Sequence, residues 1–281
     1  MERWSSSAPM PQCSISHLRL CGGKLKNQFH NYLSLIAMGL LFIAPGYAEI
    51  DPKSIVGAWL FDEGQGNTAR DSSDKGKDGD IVGGAKWVEG KFSKALELNG
   101  KDAWFHVPSI GTFDEITIAE WVNSTGRVGD WRVIFNNDGW KAGDVHHQLH
   151  PNNKVEFSIH SNPGGNDTFG TFLFDASQVG KWHHLATVYN SKGGWIRFYV
   201  DGKLDVENKW GGNPGVLGPA RIGSWDGGGR EWQGIFDELI IFNVALGEDD
   251  IQTIVDTGLK GVQSVEPNGK ITTIWGKIKD H

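Results

Sequence analysis

The chain has 281 residues and a formal net charge of −7, with 34 acidic against 27 basic side chains. That balance argues against nucleic acid and anionic membrane surfaces as partners, since both require basic patches. Its 39 glycines and 13 tryptophans describe a loop-rich aromatic protein.

In chain order, the first feature is the apolar run from Leu33 to Ala44. Lys24 and Lys26 precede it, and Pro45-Gly46-Tyr47-Ala48 follows it. A basic region, a short apolar core and small residues at positions −3 and −1 read as a secretory signal cut after Ala48. The run is shorter than the about 20 apolar residues of a membrane-spanning helix. We therefore expect residues 1–48 to be a signal segment with an over-long basic region and residues 49–258 to be one domain. Residues 259–281 are expected to be a C-terminal tail, in a secreted, periplasmic or otherwise extracellular protein. Both cysteines, Cys13 and Cys21, precede the cut, so no disulfide holds the domain. Residues 1–48 carry four basic residues and one acidic residue, which leaves 23 basic and 33 acidic side chains, net −10.

From Ile55 onward, short apolar or alternating runs recur, separated by Gly, Asn and Asp. The expected strands are Ile55 to Phe61, Ala95 to Leu98, Trp104 to Val107, Glu115 to Asn123, Arg132 to Phe135, Val145 to Leu149 and Lys154 to His160. They continue with Thr168 to Phe174, Trp182 to Tyr189, Trp195 to Val200, Lys203 to Asn208, Ala220 to Gly223 and Glu231 to Asn243. Many short strands with turn residues between them predict an all-β sandwich or barrel. Asp201-Gly202 between two strand runs is a type I′ hairpin signal. Only Glu248 to Asp256 reads as helix. In the strand from Glu231 to Asn243 alternation places Ile235, Leu239 and Ile241 on one face and Phe236, Glu238, Ile240 and Phe242 on the other. A strand apolar on both faces belongs inside a layered sheet, and its Asp237-Glu238 pair needs partners there.

Four stretches carry a resemblance to a known family. They are Ala58-Trp59-Leu60-Phe61-Asp62-Glu63-Gly64 with Asp71-Ser72-Ser73, and Ala95-Leu96-Glu97-Leu98-Asn99-Gly100. The other two are Trp182-His183-His184-Leu185-Ala186 leading to Phe198-Tyr199-Val200-Asp201-Gly202, and Phe236-Asp237-Glu238 to Asn243 with Ala245-Leu246. Together they resemble the laminin-G-like jelly-roll domains of the concanavalin A-like lectin/glucanase superfamily. The resemblance implies a jelly-roll β-sandwich of two curved antiparallel sheets, with one short C-terminal helix and with the first and last strands as neighbours. It leaves function open, because this fold hosts lectins, adhesion modules, hydrolases and lyases.

The candidate sites follow from chemistry. Asp62, Asp78 and Asp237 are expected to offer carboxylate oxygens to a structural calcium ion, which takes six to eight oxygen ligands. Lys75 and Lys77 stand where the family loop commonly has Asn, against that set. Aromatic rings cover the apolar face of a sugar while planar polar groups bind its hydroxyls. Trp131, Asn136, Trp140, His146, His160, Trp225 and Arg230 are the expected ligand-binding residues on that ground, with Trp232 near them. Trp59, Trp121, Trp182 and Trp195 are expected in the core. His146-His147-x-x-His150 raises zinc, but His146 and His147 point to opposite faces of a strand. Glu120 stands where an apolar residue is expected, without a second carboxylate to pair with for glycoside hydrolysis. The expected function is an exported, non-enzymatic module that binds extracellular carbohydrate, with no nucleic acid and no nucleotide cofactor. The alternatives are a module that binds a cell-surface protein and, further off, a polysaccharide lyase or hydrolase using Glu120.

Overall fold

The computed structural model describes residues 50–226 and 228–264. The expected signal segment and residues 265–281 of the expected tail lie outside the described residues.

Alternating apolar positions bury one face of each strand against a second sheet. The first sheet runs β15 (Lys203–Lys209), β14 (Trp195–Val200), β13 (Trp182–Asn190), β8 (Glu115–Ser124), β18 (Gln233–Phe242), β5 (Lys94–Asn99) and β4 (Lys86–Glu89). Strand β1 (Ile55–Trp59) also pairs with β18, so the first and last strands are neighbours as the resemblance implies. The second sheet runs β12 (Asp167–Phe169), β11 (Val155–Ile159), β10 (Val145–Leu149), β9 (Arg132–Asn137), β17 (Ala220–Ile222), β6 (Trp104–Val107), β3 (Gly79–Val82) and β2 (Thr68–Ala69). A small third sheet pairs β7 (Gly111–Phe113) with β16 (Gly215–Leu217). All of these pairings are antiparallel. The all-β jelly-roll sandwich is thus the observed fold.

The main core lies between the two large sheets. Ile116, Ile118 and Val122 of β8 and Leu185 and Tyr189 of β13 meet Phe135 of β9, Val145 and Leu149 of β10 and Phe157 and Ile159 of β11. A second cluster lies on the far side of the first sheet. Helix α1 (Glu248–Ser264) sets Ile251, Ile254, Leu259 and Val262 over Ala119, Val188, Ile240 and Phe242 there. The helix therefore covers the first sheet, and loops cover the outer face of the second.

Strand β18 is interior to its sheet, but its faces differ from simple alternation. The register with β8 slips between Asp237 and Ile240, and Glu238 takes a positive φ of 47°. This bulge shifts the alternation, so Phe236 joins Leu239 and Ile241 in the main core while Ile235 is only half-buried. The acidic pair finds backbone partners. Asp237 Oδ2 accepts from the amides of Lys91 at 2.7 Å and Phe92 at 2.9 Å, and Glu238 Oε2 accepts from Leu259 at 2.9 Å. That last bond forms where α1 breaks at Gly258, whose φ of 62° and close approach to the Glu238 carboxylate exclude a side chain. The helix then continues past the expected end at Asp256 and the expected domain boundary at 258, because Leu259 and Val262 are buried beyond the break.

Of two other expectations, one holds and one is adjusted. The hairpin at Asp201-Gly202 has both φ angles positive, at 51° and 81°, as a type I′ turn requires. The tryptophans of the main core are Trp59, Trp210 and Trp232. Trp121 is buried against His184 and beneath Lys91, outside that core, and Trp182 and Trp195 are only half-buried. The large indole can be covered by a neighbouring cation and ring as well as by a second sheet.

Candidate functional site

Strands β10 and β11 read V-H-H-Q-L and V-E-F-S-I, with the apolar positions turned into the core. His146 and Gln148 therefore face outward beside Glu156 and Ser158, with His146 opposite Ser158 and Gln148 opposite Glu156 in the register. Asp167 of β12 lies opposite Ser158 on the other side. Loops then rise over this polar floor. Trp131 stands just before β9, Trp140 lies between β9 and β10, and Trp225 and Arg230 lie between β17 and β18. The result is a cleft of about 300 Å³ lined by Trp131, Trp140, His146, Gln148, Glu156, Ser158, Asn166, Asp167, Trp225 and Arg230.

The walls are stacked side chains. Arg230 lies between two indoles, its guanidinium 4.6 Å from the Trp131 ring and 4.5 Å from the Trp225 ring. Trp140 packs on His146 at 4.2 Å and on His160 at 4.9 Å, and Trp131 packs on His150 at 4.5 Å. Behind Trp131, buried Arg132 donates to Ser124 Oγ at 3.0 Å, Asn153 Oδ1 at 3.2 Å and the Phe174 carbonyl at 3.1 Å. These bonds tie together the segments that hold that wall.

The floor is a hydrogen-bonded chain. Arg230 and Asn136 Nδ2 both donate to Gln148 Oε1, at 2.9 and 3.0 Å, and Gln148 Nε2 donates to Glu156 Oε1 at 3.2 Å. Ser158 Oγ sits 2.7 Å from Glu156 Oε1 and 2.8 Å from Asp167 Oδ1. Burial pushes the Glu156 carboxyl above its ordinary range and holds the His146 imidazole down at about 4, so His146 is neutral at physiological pH. Glu156 Oε2, Trp225 Nε1 and Asn136 Oδ1 are buried and have no hydrogen-bond partner. A polar ligand or water that reaches such atoms removes a desolvation penalty of about 1–3 kcal/mol each.

Of the expected ligand-binding residues, Trp131, Trp140, His146, Trp225 and Arg230 line this cleft. Asn136 lies beneath Gln148, and His160 lies behind Trp140. Trp232 is not part of the cleft; it stacks on Phe236 at 4.8 Å inside the core. Gln148, Glu156 and Ser158 escape a reading by residue type, since polar alternation in a strand is also what a solvent-facing surface shows. Their signal is pairing: two adjacent strands carry polar outward positions in register.

The carboxylates expected to bind calcium have protein partners, except that Asp237 Oδ1 is buried without one. Asp62 pairs with Lys260 at 2.7 Å and accepts from the Lys94 amide at 3.1 Å, Asp78 accepts from the Asp71 amide at 2.8 Å, and Asp237 is held by two amides as above. Asp71 in turn accepts from Ala58, Ser73 and Lys77, fastening the acidic loop to β1. Among the described residues, no group of three or more His, Cys, Asp or Glu side chains is arranged to hold a metal ion. The same holds for zinc at the histidine run: His146 faces the cleft, while His147 points into the sandwich toward Thr187 Oγ1 at 3.1 Å.

Glu120 lies on the inward side of β8, wholly buried, with both oxygens unpartnered and its carboxyl pushed well above the ordinary range by burial. It is enclosed between the sheets and does not line the cleft, so it is not placed to meet a polymeric substrate.

This geometry defines a jelly roll with an aromatic-walled cleft on a sheet face. The chain belongs to the concanavalin A-like lectin/glucanase superfamily, whose laminin-G-type profile matches residues 99–252, more than half of the chain. Among solved structures, domain 4 of AbnA, an extracellular arabinanase from Geobacillus stearothermophilus, in complex with arabinotriose, is similar. The identity is 19%, the TM-score is 0.58, and 72% of this chain and 98% of that one are covered. The binding domain of Paraclostridial Mosquitocidal Protein 1 superposes with a TM-score of 0.58 at 16% identity, over 73% of this chain and 52% of that one. A structure describing botulinum neurotoxin type C entry through two ganglioside molecules gives 0.57 at 15% identity, over 73% and 51%. The chain thus spans about half the length of these toxin domains. Comparison with curated protein sequences gives no match.

Proposed function

We propose that the chain is an exported, non-enzymatic binding module whose cleft recognises extracellular carbohydrate. One observation carries this reading: three tryptophans from three separate loops converge over a polar, hydrogen-bonded floor. Sugar rings need that combination, an aromatic face for the C–H surface and fixed planar amides and carboxyls for the hydroxyls. A structural neighbour crystallised with arabinotriose is in keeping with it. Export is supported by the signal-like run from Leu33 to Ala44. A calcium ion is not part of the reading, since Asp62, Asp78 and Asp237 do not line the cleft. A protein partner is less favoured than a glycan. Val128, Leu173, Val179 and Leu204 are the large apolar side chains exposed among the described residues, and none of them lines the cleft.

Calorimetric titration with arabinotriose and a wider oligosaccharide panel tests the reading. The Trp131→Ala/Trp140→Ala variant is expected to lose at least tenfold in affinity for whichever sugar binds the wild type, while its melting temperature changes little. Unchanged affinity in that variant contradicts the placement.

A further inference from the structure

Protons are unevenly supplied along the floor of the cleft, and that asymmetry bears on which sugars fit. Ser158 Oγ contacts both Glu156 Oε1 and Asp167 Oδ1, yet one hydroxyl carries one proton and cannot donate to both. Glu156 Oε1 also takes the Gln148 amide, while Oε2 is buried without any partner. This end of the cleft is short of hydrogen-bond donors. At the other end stands Arg230, the one cation among the lining residues, held between two indoles and already donating to Gln148. His146 sits against Trp140 with its Nε2 engaged by the Gly139 carbonyl at 3.1 Å, and His150, stacked on Trp131, is the imidazole that acts on Glu156 from outside the cleft lining.

We propose that the cleft selects neutral, hydroxyl-rich glycans, whose hydroxyls donate to Glu156 and Asp167, and discriminates against glycans carrying a carboxylate. The inference rests on the carbohydrate reading above and names the class of sugar. A hydroxyl is both donor and acceptor, so a neutral ring supplies protons to the acidic end and accepts from Arg230 and Trp225 Nε1 at the other. A sialylated or uronate ligand brings a group that only accepts. Its charge meets two carboxyl groups against one guanidinium, and repulsion of this kind is a recognised route to specificity. Glu156 is then a specificity-determining residue.

The test is titration of the full chain at pH 7 with two panels. The neutral panel holds arabino-, xylo-, gluco- and galacto-trioses, and the acidic panel holds sialyllactose and trigalacturonate. The best neutral ligand is expected to bind at least tenfold more tightly than any acidic one. The Glu156→Gln variant, with an unchanged melting temperature, is expected to narrow that ratio. Asp167→Asn, at an exposed position, serves as a second variant should the first fail to fold. Acidic ligands that bind as tightly as neutral ones, or a ratio unmoved in both variants, overturn the charge rule and leave the carbohydrate reading standing. Binding of neither panel at millimolar concentration overturns the carbohydrate reading, and the charge rule with it.

Discussion

Residue type alone identified the walls of the cleft and left out its floor. Trp131, Trp140 and Trp225 stand beside Asp, Asn and Gly in loop sequence, where a large indole has no core to enter, so their exposure to a ligand is legible. Gln148, Glu156 and Ser158 are polar residues at alternate strand positions, which by itself means a face turned to water. They are nearly buried here because loops from distant parts of the chain fold over them, and no local pattern encodes that roof. Trp232 shows the converse: it was grouped with the loop aromatics although it falls within the expected last strand, and it enters the core just before β18. Arg132 belongs at this scale too, because its buried guanidinium satisfies three acceptors next to Trp131. Burial lowers its pKa to about 10, so it remains charged at neutral pH. Arg132→Met removes the donor from the Phe174 carbonyl, while Asn153 Oδ1 keeps the Gly129 amide and Ser124 Oγ keeps its bond to Gly126, and a buried orphan costs about 1–3 kcal/mol. A lower denaturant midpoint and weaker sugar binding are expected together; an unchanged midpoint contradicts this role.

At the scale of elements, β18 was readable as an interior strand, because a strand apolar on both faces has nowhere else to go; its partners β8 and β5 were not. Its face assignment was not readable, since the bulge at Asp237-Glu238 leaves no mark in residue type. The bulge turns Glu238 toward the break in α1 at Gly258, where the amide of Leu259 meets its carboxylate. Desolvation is the main cause that raises both carboxyls, Asp237 to about 6 and Glu238 to about 7. Their ordinary values are 3.8 and 4.5, so between those values and the raised ones the folded state holds protons that the unfolded chain has lost. Stability from these groups is therefore full at low pH and is lost as pH rises toward 7. The buried histidines act in the opposite sense, so a comparison with a variant isolates the pair. The melting temperature of Glu238→Gln relative to wild type is expected to rise from pH 5 to about pH 7 and to level off above that. A difference that does not vary with pH contradicts the assignment.

On the scale of the whole molecule, the two-sheet sandwich separates stability from recognition. Helix α1 and the acidic pair secure the outer side of the first sheet, and the cleft lies on the outer face of the second. The composition already argued against a basic nucleic-acid surface, the strand spacing already implied an all-β sandwich or barrel, and the family resemblance implied the sandwich. What needed three dimensions was the choice of sandwich over barrel, which the strand spacing left open and only the family resemblance favoured, and the side of the sandwich on which the loops converge. The most direct measurement of the central claim is an NMR titration of the indole N–H signals with the tightest-binding neutral oligosaccharide, in buffer containing EDTA. The account predicts that the signals of Trp131, Trp140 and Trp225 shift with one common dissociation constant, while those of Trp59 and Trp232 in the core stay in place. Binding that moves none of the three cleft indoles, or that vanishes in EDTA, contradicts it.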